Sequence, residues 1–279
     1  MKFFSVLFKI ILLITVVYLI FHFIDIDIFL YTFTKLNYFF LGFVIFFIMI
    51  FLYTESLIFY LLLKNYKIII TKKENFMLLN FTYLFNLIFP FSGTAWRAFF
   101  LKKKHNFKLK NYGKVLLYFL LFELSLVFSI LFLILISYFF DLNYFFKFLI
   151  IFFEVGCLYF FYFFILKIKL KIKNVTLILC LSIILILFYY ISFYLSFLSL
   201  GINNPVESLI VSLTASFANY FSVTPSSIGI LEGAVVFMSN FLSILPEESL
   251  VVSLIIRAAI FFNVLFFSLL FINSLKKYF

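Results

Sequence analysis

Arg97 and Arg257 are the only arginines among 22 Lys and Arg residues; every other cation is lysine. Arginine presents a planar fork that grips phosphate through two parallel hydrogen bonds and keeps its charge when desolvated, and lysine does neither as well. Arg97 follows Trp96, the sole tryptophan, just after the break Pro90-Phe-Ser-Gly93. Arg257 stands about a third of the way into the last apolar run, between Ile255, Ile256, Ala258 and Ala259. The chemistry these positions suit is capture of an anionic headgroup inside a membrane. The structural alternative is an ion pair within the helix bundle, for instance Arg257 with Glu232. Glu232, in Gly229-Ile-Leu-Glu232-Gly233, suits a helix N-terminus, an arginine partner or a cationic headgroup. Glu55, Glu123 and Glu154 fall inside apolar runs. A carboxylate at that depth costs about 2.5–3.5 kcal/mol or more and faces the bundle interior, as a polar pathway or as an acid hydrogen-bonded to a neighbouring helix. Asn86, Ser92, Asn219, Ser226 and Ser227 flank two breaks and can satisfy free backbone groups or bind headgroup oxygens.

Other chemistries find no support. His22 and His105 lie far apart and no Cys/His/Asp cluster accompanies them, so no metal site is expected. No Gly-rich nucleotide loop of the Gly-x4-Gly-Lys-Ser/Thr type occurs, and no Gly-x-Ser-x-Gly elbow. The expectation is no catalytic residues and no cofactor, with ATP-driven work by this chain alone excluded. Cys157 and Cys180 sit in apolar runs and read as buried small hydrophobes.

The elements that must position these residues follow from composition. The 279 residues are 67% hydrophobic and only 12% charged, too few charges to clothe a water-soluble domain, which carries about 25%. Apolar runs predict helical membrane spans over 3–24, 37–63, 115–140, 144–166, 175–199 and 249–273. The net charge of +11 raises nucleic acid as a partner, but its placement argues against it. Lysines gather at 2–9, 64–73, 102–114, 167–173 and 276–277, and alternation from a cytoplasmic N-terminus puts all of them inside. The opposite loops carry Asp25, Asp27, Asp141, Glu207, Glu247 and Glu248, with only Lys35 and Lys147 as cations. The first run lacks a small-residue cleavage site and reads as an uncleaved span.

Two segments break the alternation. Residues 75–101 lie between two lysine-rich loops and 206–246 between two acidic ones, so each needs an even number of passes. The first predicts a re-entrant hairpin turning at Pro90–Gly93. The second, broken at Val223-Thr-Pro225-Ser-Ser-Ile-Gly229, predicts two spans or a hairpin from the opposite face. Asn86, Pro90, Ser92, Gly93 and Arg97 parallel Asn219, Pro225, Ser227, Gly229 and Glu232, which suggests oppositely oriented repeats. Interrupted helices in both halves point to a transporter site. The fold expected is all-α: one transmembrane domain over 1–279, with about six full spans and two broken hairpins.

Asn86-x3-Pro90-x2-Gly93-x3-Arg97 with Phe122-Glu123 resembles the first signature of the flippase-like lysylphosphatidylglycerol synthase transmembrane region family. Pro225-Ser-Ser-Ile-Gly229-Ile-Leu-Glu232-Gly233 with Arg257 resembles its second. The chain departs from the family pattern at Thr94-Ala95, at Leu124 and at Ser227, where an acidic residue, an arginine and a glycine are usual. The resemblance implies a bacterial inner-membrane protein that moves an anionic phospho- or polyprenyl-linked lipid between leaflets, without the soluble aminoacyl transferase domain of the best-known member. The residues and the resemblance together give an expected substrate site of Arg97, Arg257, Glu232, Asn86, Glu123 and Asn219, the last from its place beside the second break, with turns at Pro90, Gly93, Pro225, Gly229 and Gly233. The partners expected are membrane lipids, through their anionic headgroups. The competing expectations are a non-transporting subunit that scaffolds a lipid or glycan synthesis enzyme, docking through its basic loops, and an intramembrane transferase.

Overall fold

The computed structural model describes residues 24–66, 68–139, 172–220 and 227–276. Among these described residues four helices are long and apolar enough to cross a membrane. They are α2 (Tyr38–Asn65), α5 (Leu109–Phe139), α6 (Ile172–Ser199) and α9 (Pro246–Lys276). At 28 to 31 residues each extends about 42–46 Å, beyond a hydrocarbon core of about 30 Å. These match four of the six expected spans; 3–24 and 144–166 lie outside the described residues, as do Glu154, Cys157 and Pro225.

Between the long helices stand two helical hairpins. The first is α3 (Lys72–Ile88) and α4 (Ser92–His105), and the second is α7 (Pro205–Tyr220) and α8 (Ile230–Ser239). With 17 and 14 residues in the first and 16 and 10 in the second, their arms rise only about 15–26 Å. Among the described residues, no arm of either hairpin reaches the length of the four candidate spans.

Local chemistry sets the helix ends. The Asn37 side chain accepts from the Phe39 N–H at the start of α2, and Thr71 Oγ1 accepts from the Glu74 N–H at the start of α3. Asn106, with φ of 52°, ends α4 in the left-handed region that asparagine tolerates. Asp25 caps a short helix, α1 (Ile26–Thr34), in the connection expected as an outside loop. The Glu247 carboxylate accepts the Asp25 N–H and so ties this segment to the first turn of α9.

The core is formed chiefly by α2 on α6. Val44, Ile48 and Leu52 face Tyr189, Phe193 and Phe197, all at a four-residue helical spacing. Buried serines, among them Ser182, Ser192, Ser196, Ser208, Ser212 and Ser253, let neighbouring helices approach closely. The outward faces are apolar: Phe261, Phe262, Phe266, Leu269 and Leu270 of α9 are all exposed, a surface suited to lipid. Cys180 also belongs to this outer face; it is exposed on α6 and not buried as its apolar setting suggested.

Packing repeats with inverted direction. The unit α2, α3–α4, α5 is answered by α6, α7–α8, α9. Hairpin arm α3 packs on α9 as α7 packs on α5, and α2 meets α3 as α6 meets α7. One end of the bundle gathers Lys64, Lys72, Lys73, Lys102, Lys103, Lys104, Lys108, Lys110 and Lys114. The other gathers Asp25, Asp27, Glu207, Glu247 and Glu248, with Lys35. The first hairpin rises from the lysine-rich end and the second from the acidic end.

Candidate functional site

The first hairpin turns at Phe89–Phe91, with Phe91 in the left-handed region at φ of 63°. Gly93, expected as part of the turn, instead lies in α4, and its role there is close packing. A Cβ on Gly93 would overlap the Thr82 carbonyl oxygen and come within 2.7 Å of the Thr82 Cα. Asn86 and Ser92 serve the broken backbone. The Asn86 side-chain oxygen accepts from the Gly93 N–H at 2.9 Å, and Ser92 Oγ donates to the Phe85 carbonyl at 2.6 Å. Trp96 packs among Phe81, Phe85 and Phe100, fixing the two arms one residue before Arg97.

Arg97 is 2% exposed. Its Nη2 donates to Asn75 Oδ1 at 2.8 Å, and its guanidinium lies 3.6 Å from the centre of the Phe59 ring. Asn75 is itself oriented by donating to the Ser56 carbonyl and hydroxyl oxygens. Both direct partners of Arg97 are thus neutral, and its Nε has no hydrogen-bond partner. Glu55, ten residues from the end of α2, lies about 15 Å inside the helix. It accepts from the Tyr83 hydroxyl at 2.7 Å and lies within electrostatic reach of Arg97 and of Glu123. Glu123 on α5 is fully buried; one oxygen accepts from Ser182 of α6 and the other, Oε2, has no hydrogen-bond partner. Beside it, Phe122, Tyr118 and Phe119 of α5 line an apolar cleft with Ile58, Val175 and Ile178, between α2, α5 and α6.

The second hairpin gives the opposite arrangement. Gly229, at φ of 87°, takes a backbone conformation other residues resist, and its N–H donates to Glu232 Oε2 at 2.8 Å. Glu232 is buried and ion-paired with Arg257: Arg257 Nη2 lies 3.0 Å from Glu232 Oε2, and Nε meets Oε1. Arg257 Nη2 also donates to the Ser227 carbonyl at 2.8 Å, tying α9 to the broken segment. The ion pair that the sequence offered as an alternative is therefore present. Gly233 lies in the first turn of α8, next to Glu232. Asn219 Nδ2 points to the Tyr189 hydroxyl at 3.4 Å, and Tyr189 lies within electrostatic reach of both Arg257 and Glu232.

The expected site residues thus fall into two clusters. Arg97, Glu55 and Glu123, with Tyr83, form one; Glu232, Arg257 and Asn219, with Tyr189, form the other. Tyr83 and Tyr220 link them, since each lies within electrostatic reach of Tyr189 and of Glu55. Asn86 is occupied with backbone.

Sequence reasoning missed Asn75, Tyr83, Ser182 and Tyr189, which hide among apolar neighbours. It also missed two clamps at the hairpin bases. Glu74, third residue of α3, binds Lys104 Nζ at 2.8 Å and His105 Nε2 at 3.0 Å at the end of α4. Glu207, third residue of α7, accepts from the Ser243 N–H and hydroxyl and from Tyr138 and Asn204. Asn86 and Asn219 are each the fifteenth residue of the same two helices. That shared register is the signal that identifies both glutamates.

Among the described residues no group of His, Cys, Asp and Glu could hold a metal ion. No curated protein and no solved structure matches the chain. The resemblance read from the motifs is met in the second half of the chain, where residues 165–268 match the family model described as lysylphosphatidylglycerol synthase TM region and take in Asn219, Glu232 and Arg257.

Proposed function

We propose that the protein is a lipid translocase that carries the headgroup of an anionic lipid, phospho- or polyprenyl-linked, between the leaflets of a bacterial inner membrane. The observation that carries this reading is Arg97. It is a guanidinium buried in a half-length hairpin, touched directly, among the described residues, by an amide and an aromatic ring and by no carboxylate, with Nε unused. A desolvated cation so placed favours an incoming phosphate, which would take the free face of the fork. The apolar cleft beside Glu123 places hydrocarbon-compatible side chains of α2, α5 and α6 next to this polar cluster. Arg257 is the counterpart reached from the opposite face, available once Glu232 releases it. The lysine-rich end, with both termini, faces the cytoplasm in this reading and concentrates anionic lipid there.

The test is the lipid that stays with the purified protein, identified by mass spectrometry. Anionic lipid should be enriched over the bulk membrane extract. Arg97→Ala should reduce that enrichment about tenfold or more, since a charge-assisted bond contributes about 1.5–3 kcal/mol, and Arg97→Lys should reduce it less. Equal lipid profiles for wild type and Arg97→Ala would overturn the assignment.

A further inference from the structure

The two halves carry the same pair of charges in exchanged places. In the first, the hairpin's second arm holds the cation, Arg97, and the closing helix α5 holds the anion, Glu123. In the second, the hairpin's second arm holds the anion, Glu232, and the closing helix α9 holds the cation, Arg257. Arg97 precedes Glu123 by 26 residues and Glu232 precedes Arg257 by 25.

Only one of these pairs is closed. Glu232 and Arg257 are in contact through two atom pairs. Arg97 and Glu123 make no ion pair. Each keeps one buried polar atom without a hydrogen-bond partner, Nε of Arg97 and Oε2 of Glu123, although they are 2% and 0% exposed. Asn75 holds the guanidinium and Ser182 holds the carboxylate in the meantime. Buried opposite charges held apart are unfavourable relative to the same charges paired, so the first half is the less satisfied of the two. In inverted repeats, exchanging the conformations of the halves gives a similar packing that opens to the other face, so the two states lie close in free energy.

We infer that Arg97 and Glu123 close on each other in the second state, while Glu232 and Arg257 part. One ion pair is shut and one is open in each state, and the open arginine takes the headgroup. Glu123 is then a positioning residue that acts on Arg97 and not on the lipid. The account of which arginine is loaded rests on the transport reading, but the exchange of pairs is a property of the protein alone.

Hydrogen–deuterium exchange of the two hairpins tests it without lipid movement. Glu232→Gln opens the second pair. Peptides over Ile230–Ser239 should exchange faster, and those over Ser92–His105 should exchange at least threefold slower as Arg97 finds Glu123. Arg257→Gln, which opens the same pair from the other side, should do the same and guards against a folding defect special to one variant. Adding Glu123→Gln to either should abolish the slowing of the first hairpin. If α8 loosens while α4 is unchanged or faster, or if the slowing survives Glu123→Gln, the exchange is wrong. If the exchange is seen but no lipid moves, it stands and the transport reading falls.

Discussion

At the scale of single residues, Gly93 and the Arg257–Glu232 pair make the sharpest commitments. Gly93→Ala must push α4 away from the Thr82 backbone, which cannot yield as a flexible side chain could. The loss should be about 1–3 kcal/mol or more, read as a lowered melting midpoint in detergent. Gly42→Ala, where an added Cβ meets nothing within 4 Å, should leave the midpoint unchanged. Arg257→Ala strands Glu232 in the interior and should cost about 3–5 kcal/mol. Adding Glu232→Ala should recover part of that, so the double variant should melt above Arg257→Ala. The charged members of both clusters were legible because sole arginines and deep carboxylates stand out in an apolar chain. Their neutral holders were not: Asn75 reads as the polar lead-in to α3, and Tyr83 and Tyr189 read as ordinary members of an aromatic-rich sequence. Only the folded hairpin places Asn75 against Arg97.

At the scale of elements, each hairpin is held by its clamp as well as its turn. Glu207→Ala removes the acceptor for Ser243, Tyr138 and Asn204 together. A loss of about 2–3 kcal/mol is expected, with faster hydrogen exchange in α7 and α8 and little change in α3 and α4. A uniform change across both hairpins would mean that the clamp does not act locally. The breaks themselves were visible as Pro-Gly punctuation between like-charged loops. The turn's details were not, because left-handed backbone at Phe91 carries no sequence mark, and an aromatic there is unusual. Helix α1 was missed for a similar reason: two aspartates beside the expected end of a span read as an outer connection, though Asp25 is in fact a cap.

At the scale of the whole molecule, α3 pairs with α9 and α7 with α5 in inverted fashion, and the headgroup path proposed above runs from one cluster to the other. The positive-inside pattern predicted the opposed ends of the bundle from sequence, whereas the charge exchange between its halves needed the helix registers. Sidedness has a direct check in a variant with Cys157 and Cys180 replaced by serine. A cysteine at Asn106 should react with an impermeant reagent only from the cytoplasmic side, and one at Ser243 only from the opposite side; the reverse pattern would invert the membrane orientation. The central claim is that lipid moves through this path. Its most direct test is leaflet-specific labelling of fluorescent anionic lipid in proteoliposomes. Wild-type protein should carry probe between leaflets, and Arg97→Ala and Arg257→Ala should each slow the movement about tenfold or more. Movement by both variants at the wild-type rate would contradict the site, and no movement of any anionic lipid by wild-type protein would contradict the translocase reading.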